Sequence, residues 1–298
     1  LVRLANWAFP FFPETWNAQP GGFRQKLMFF VGGSVILLVL AGHINTLFPR
    51  TRNIDLEIPT ANAKEGVVRM AMVSDIHLGT IIGPRRLTKL VETLNHIAPD
   101  IIVMAGDVVD EDLKPVIRNN AGAYLKRLNA PYGVYGITGN HEYIGGAEKA
   151  VEYLSKNGIS ILRDSVVKIN NSFYLIGRDD LQSERFGGKA RKPLEQLLSN
   201  LDPELPVFLL DHQPYHPEKN ASLGINLQMS GHTHHGQIWP LNYITSLIFP
   251  VSYGYSWIDG MHLYVSNGFG TWGPPVRIGN KPEIVVFNIR FIPMEKLN

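Results

Sequence analysis

Five times along this chain a short apolar run ends in a cluster of carboxylate, amide or imidazole side chains. The clusters are Ser74-Asp75-Ile76-His77, Gly106-Asp107-Val108-Val109-Asp110, Gly139-Asn140-His141-Glu142, Asp211-His212 and Gly231-His232-Thr233-His234. The runs before the first three, 67–75, 101–107 and 133–140, have strand character. Between them, Leu87, Leu90, Val91, Leu94 and Ile97 recur at helical spacing, as do Ile117, Ala121, Tyr124, Leu125 and Leu128. Ala147, Ala150, Val151 and Leu154 repeat the pattern, and Asn157-Gly158 is a stop signal. Repeated strand–helix–strand units predict an α/β sheet with largely parallel strands. Beyond residue 158 the pattern shifts to strands with few helices between them.

In open α/β sheets, ligands bind beyond the carboxyl ends of the strands, so the five clusters are expected to converge on one edge. In extended chain, residues two apart point the same way, which would let Asp75 and His77, or either histidine of His232-x-His234, hold an ion. Glycines before Asp107, Asn140 and His232 allow tight turns and close backbone approach. The chain has no cysteine, which excludes disulfides and thiolate ligands. Imidazole, carboxylate and amide oxygen suit Mn²⁺, Fe or Zn²⁺. Each cluster alone reads as an ordinary turn or a satisfied core histidine. As an ordered set they do not, because buried charges and imidazoles are costly without partners.

The set resembles the calcineurin-like metallophosphoesterase superfamily: Asp-x-His, Gly-Asp-x-x-Asp, Gly-Asn-His-Glu, a later His, then Gly-His-x-His, over about residues 67 to 290. The resemblance implies a four-layer α/β/β/α sandwich and two divalent metal ions, Mn first among them. It implies that Asp75, His77 and His234 bind the first ion, that Asn140, His212 and His232 bind the second, and that Asp107 bridges both. His141 is then the active-site histidine without being a ligand, and Asp110 and Glu142 orient the groups around it. Two dications against two carboxylates leave a positive site that attracts phosphate and acidifies a water, which attacks phosphorus in line. The expected activity is hydrolysis of a phosphodiester or pyrophosphate bond. The alternative is a non-catalytic binding module on the same fold, against which the complete ligand set and His141 argue.

No charged residue occurs from Leu27 to Pro49, and basic residues flank the window on both sides. About 20 such residues span a bilayer core of roughly 30 Å. Residues 1–50 therefore read as a membrane segment, 51–66 as a linker, and 67–298 as the catalytic domain. The apolar opening 1–13 reads as the remnant of an earlier helix or an interfacial piece, and Leu1 in place of Met reads as a fragment or processed form. An anchored domain of this type resembles the membrane-associated bacterial branch, which includes UDP-2,3-diacylglucosamine pyrophosphatases. That implies the bacterial inner membrane, with the side left open by the charges, and a lipid-linked phosphorylated substrate. The net charge of +2 and the absence of a dense basic run do not indicate nucleic acid.

The stretch from Trp239 to Trp257 is aromatic and broken by Pro240, Pro250 and Gly254. It reads either as a loop completing the core or as an apolar wall beside the metals, with Leu247 and Phe249 touching substrate. His216, His235 and His262 are possible pocket residues, and Arg178-Asp179-Asp180 either touches substrate or caps a turn. The segment 268–275 reads as architecture.

Overall fold

The alternation of strands and helices over 67–161 folds into the first of two six-stranded sheets. The structure, a computed structural model, describes residues 22–61 and 66–293; the expectation for residues 1–13 lies outside them. The strands are β1 (Arg50–Thr60), β2 (Val67–Val73), β3 (Ile101–Met104), β4 (Val134–Gly136), β5 (Ser160–Ile161), β6 (Ser165–Ile169), β7 (Phe173–Gly177), β8 (Val207–Leu210), β9 (Leu227–Ser230), β10 (Gly254–Ile258), β11 (Met261–Val265) and β12 (Glu283–Pro293). One sheet has the order β1-β12-β2-β3-β4-β5 and the other β10-β11-β9-β8-β7-β6. β2 to β5 are parallel, and so are β7, β8, β9 and β11.

The sheets face each other across a core in which Met70, Met72, Ile101 and Val103 meet Phe173, Phe208, Leu227 and Tyr264. The helix Pro84–Ile97 covers the outer face of the first sheet with Leu87, Leu90, Val91 and Leu94, its predicted apolar stripe. Leu194, Leu197 and Ala221 cover the outer face of the second. The result is the expected four-layer α/β/β/α sandwich.

Residues 51–60 of the segment expected as a linker are part of the sandwich. β1 pairs in parallel with β12 from Arg50↔Glu283 to Thr60↔Pro293, and Leu56 and Ile58 enter the core between the sheets. The period-two signal was present in Ile54, Leu56 and Ile58, interrupted by Asp55 and Glu57, which face outward.

The N-terminal helix runs Phe23–Thr46, and 22 of its residues, Gln25–Thr46, are long and apolar enough to cross a membrane. Met28, Phe29, Phe30, Ile36 and Leu37 are exposed, so the helix is not the core helix of a soluble domain. Among the described residues, the helix docks through its C-terminal end, from Gly42 onward. Arg277 N–H donates to Gly42 O at 3.1 Å, and Asn45 Nδ2 donates to the carbonyls of Arg277 and Asn280 at 3.0 and 2.6 Å. Arg86 and Lys89 donate to the carbonyls of Thr46 and Leu47 at 2.8 and 2.9 Å.

Candidate metal centre

β2, β3, β4, β8 and β9 all end at the same edge of the sandwich, and the loop after each delivers one polar cluster. Asp75, His77 and His234 bring ligand-type atoms within 4.8 Å of one another, as do Asp107, His212 and His232. Asp107 lies between the two groups, with Oδ2 3.1 Å from His212 Nε2 and 3.9 Å from His77 Nε2. Asn140 Oδ1 faces His212 Nε2 at 3.2 Å and His232 Nδ1 at 2.8 Å. All seven predicted ligands are thus brought together, and the two histidines of His232-x-His234 turn to different groups.

They do not converge through strand alternation. β2 ends at Val73, and Asp75 and His77 both have positive φ, 51° and 52°. Asp107, His232 and His234 do too, so five of the seven hold a left-handed backbone that costs a non-glycine residue about 1–3 kcal/mol. Such strain persists only where the surroundings over-determine it. Here they do: Glu142, fully buried, accepts from the backbone N–H of Asp107, Val109 and Gly139 at 3.1, 2.8 and 2.7 Å. Glu142 therefore ties two loops together through their backbones and does not orient a ligand side chain. Two glycines are required by close approach: a Cβ at Gly139 would enter the Asp107 carboxylate, and one at Gly231 would strike Ser74 and Asp75.

The donor set fits cations. His212 Nδ1 donates to the Ala105 carbonyl at 2.8 Å, which turns Nε2 to Asp107 and Asn140. Burial opposes the charged ring, but Asp107, Asp75 and Asp180 outweigh it and hold the His212 pKa well above the usual range, so a cation on Nε2 would have to replace a proton there. His77 Nε2 and His234 Nε2 sit 3.1 Å apart, and Asp75 Oδ1 is 3.4 Å from the latter. Two imidazole nitrogens aimed at each other call for a proton or a metal between them. Burial, together with the neighbouring His212, pushes His232 down to about 3. Burial with His77 and Arg277 holds His234 well below the usual range, so both rings are neutral, as ligands must be. Burial raises the Asp75 carboxyl, a penalty that a cation would remove.

His141 is buried, its ring 4.5 Å from that of His77, and its Nδ1 is 3.0 Å from Asp110 Oδ1. Asp110 also lies 3.5 Å from His77 Nδ1.

A cavity of about 520 Å³ opens from Asp107, Asn140, His141, His232 and His234 along the helix Asn242–Ile248. Leu241, Ile244, Phe249 and Trp272 form its apolar wall. Phe249 is buried, 5.8 Å from the His232 ring. Leu247, expected in that wall, is 88% exposed and outside the lining. Thr245 lines the cavity, and two residues further on a helix of 3.6 residues per turn faces the opposite way. None of the seven residues of this helix is buried, so Asn242–Ile248 does not fill the core, whereas Phe249 is buried, Val251 packs on the core of the second sheet and β10 joins that sheet.

The remaining readings divide. Asp179 accepts from Thr138, Tyr143 and Arg163, Asp180 from Gln213, and Arg178 reaches Asp211 at 3.4 Å, so this triplet braces the loops and does not face the cavity. His216 and His262 lie outside the cavity lining, as does His235. The segment 268–275 is architecture of the site itself, for Phe269 and Gly270 N–H donate to the carbonyls of Ser74 and Asp75 at 2.9 and 2.7 Å. Sequence reading missed Arg277. It is fully buried, donates to Asn267 O at 2.6 Å and Gly270 O at 2.7 Å, and reaches His234 Nδ1 at 3.2 Å. Only its place just beyond the turn-rich segment hinted at it.

Residues 68–236 match the calcineurin-like phosphoesterase family model. An uncharacterised metallophosphoesterase of Aquifex aeolicus is 33% identical over 258 residues, covering 86% of this chain and 97% of that protein. A transmembrane protein with metallophosphoesterase domain from Danio rerio is 33% identical over 279 residues, covering 89% of this chain and 62% of that longer protein. With more than half its length in the family model, and a relative matched almost end to end, the chain belongs to the calcineurin-like phosphoesterase family.

Proposed function

We propose that this protein is a membrane-anchored dinuclear phosphohydrolase that cleaves a phosphodiester or pyrophosphate bond of an amphiphilic substrate. The observation that carries this reading is one cavity with Asp107, Asn140, His232 and His234 at its floor, the other three ligand-type side chains clustered with them, and an apolar wall at its mouth. Asp75, His77 and His234 would hold one ion and Asn140, His212 and His232 the other, with Asp107 shared. Two divalent ions, Mn²⁺ in this proposal, supply positive charge for the phosphoryl oxygens and acidify water.

The chain's own groups do the rest. Asp110 pins His141 Nδ1, which leaves Nε2 to give a proton to the departing oxygen. Burial opposes the charged ring, but Asp110, Asp107 and Glu142 outweigh it in the chain alone and raise the His141 pKa; bound cations would oppose that shift, so the hydrogen bond to Asp110 is what would keep the ring an acid. Leu241, Ile244 and Phe249 would take the greasy portion of the substrate and exclude water from that side. The apolar helix supports a place in a bilayer, and the resemblance to the bacterial branch supports the inner membrane.

The test compares kcat/KM of the full chain with Mn²⁺ on a lipid-linked pyrophosphate and on a water-soluble phosphodiester. The reading expects turnover of both, with at least a tenfold preference for the lipid-linked one; absence of turnover on either would end it.

A further inference from the structure

A second cavity, of about 600 Å³, lies behind the loop that carries His234, and shares no lining residue with the first. Arg50, Arg52, Lys281, Tyr253 and Asn45 line it. No acidic side chain is among the lining residues. Arg50 Nη2 and Arg52 Nη1 both donate to the Tyr253 hydroxyl, Arg52 at 2.8 Å, and both guanidinium groups stand about 6 Å or less from its ring centre. Among the described residues, the carboxylate within reach is Glu283, 3.4 Å from Arg50. It is fully buried and already accepts from the Tyr264 hydroxyl at 3.0 Å. Three cations against one carboxylate leave the cavity positive.

The cavity sits at the foot of the apolar helix. Asn45 belongs to the helix's last turn, and Arg50 follows Thr46 by four residues. Leu47 and Phe48 between them are exposed apolar side chains, which keeps the chain at an apolar–polar boundary up to the mouth of the cavity. Guanidinium forks match phosphate oxygens in pairs, whereas a lysine acts as a point charge. At this depth the phosphate available in quantity is that of lipid headgroups, and basic pockets beside membrane helices are suited to them.

We infer that this cavity binds the phosphate of an anionic phospholipid headgroup and fixes the sandwich against the bilayer. Asn280 ties the two sites: its Nδ2 donates to the carbonyls of His234 and His235 at 3.3 and 3.4 Å, while its own carbonyl receives Asn45. The inference rests on the helix lying in a membrane, and is independent of whether the first cavity is catalytic.

The full chain, purified in neutral detergent, is first mixed with vesicles of phosphatidylcholine alone. Failure to co-float would overturn the membrane reading, and with it this site. The chain is then offered equal amounts of phosphatidylglycerol and phosphatidylcholine, and retained lipids are counted by native mass spectrometry. The wild type should retain phosphatidylglycerol in preference by on the order of tenfold, and Arg52→Gln with Lys281→Gln should bring the ratio close to one. Arg50 is left in place so that Glu283 keeps its partner. Lys281→Gln alone, at an exposed position, should show part of the loss even if the double variant does not fold. Equal retention of both lipids by the wild type would overturn the proposal. Displacement of phosphatidylglycerol by inorganic phosphate at millimolar concentration would also overturn it, since the ligand would then be a soluble anion.

Discussion

The floor and the rim of the catalytic cavity are built in opposite ways. At the floor, Asp75, His77, Asp107, His212 and His234 are buried, several on strained backbone, and each loop is fixed by hydrogen bonds from a neighbouring loop. At the rim, the helix Asn242–Ile248 has no buried residue and ends on Ile248 and Phe249, of which only Phe249 is tucked in. A floor over-determined in this way tolerates little change, and this suits groups that must meet an ion to within a fraction of an ångström. A rim with few contacts can be altered without disturbing the floor, so chemistry and substrate choice are separable here.

The largest effect that follows is at the shared residue. Asp107→Ala should remove both ions, seen by elemental analysis, and reduce turnover to background. Gly139→Ala reaches the same place from outside the ligand set: its Cβ enters the Asp107 carboxylate, so it should destabilise by about 1–3 kcal/mol and also lose metal. Full metal content in Gly139→Ala would show the floor to be more yielding than its packing suggests.

Next comes the group that separates coordination from chemistry. His141→Ala should keep both ions and lose about 10²–10⁴-fold in rate, with a smaller loss when the leaving group needs no proton. Loss of metal together with rate would move His141 into the ligand set.

At the rim the effects are smaller and selective. Ile244→Ser should raise KM several-fold for a lipid-linked substrate and leave a small soluble ester unchanged, since about 0.8 kcal/mol is at stake per buried methylene. Leu247→Ser, on the outward side of the same helix, should change neither KM and should weaken vesicle binding slightly. Equal losses on both substrates for Ile244→Ser, measured with an unchanged melting temperature, would erase the distinction between floor and rim.

The same contrast explains what could be read from the amino-acid order. The floor was legible because its residue types are rare at the ends of apolar runs and recur in a fixed order. The conformation that brings them together was not: alternation predicted Asp75 and His77 side by side on a strand, whereas both sit beyond β2 on left-handed backbone that only the packed loops sustain. Arg277 escaped notice for a similar reason, since its donors are used on the carbonyls of a folded loop, Asn267, Gly268 and Gly270, on the Asn280 side chain and on the His234 ring, none of which shows in a period. β1 was hidden by Asp55 and Glu57 on its outward face. The aromatic stretch could be located but not oriented, because a seven-residue helix has no periodicity long enough to tell Thr245 from Leu247.

The central claim is that occupancy of both clusters is what turns over a phosphoester. The direct test strips the full chain with a chelator and adds Mn²⁺ back in steps, with metal content and hydrolysis of a chromogenic phosphodiester followed together. The account predicts no turnover in the stripped chain and a rate that rises with the second ion bound. Full turnover in the presence of chelator, or a chain saturated with metal that hydrolyses no phosphodiester or pyrophosphate, would contradict it.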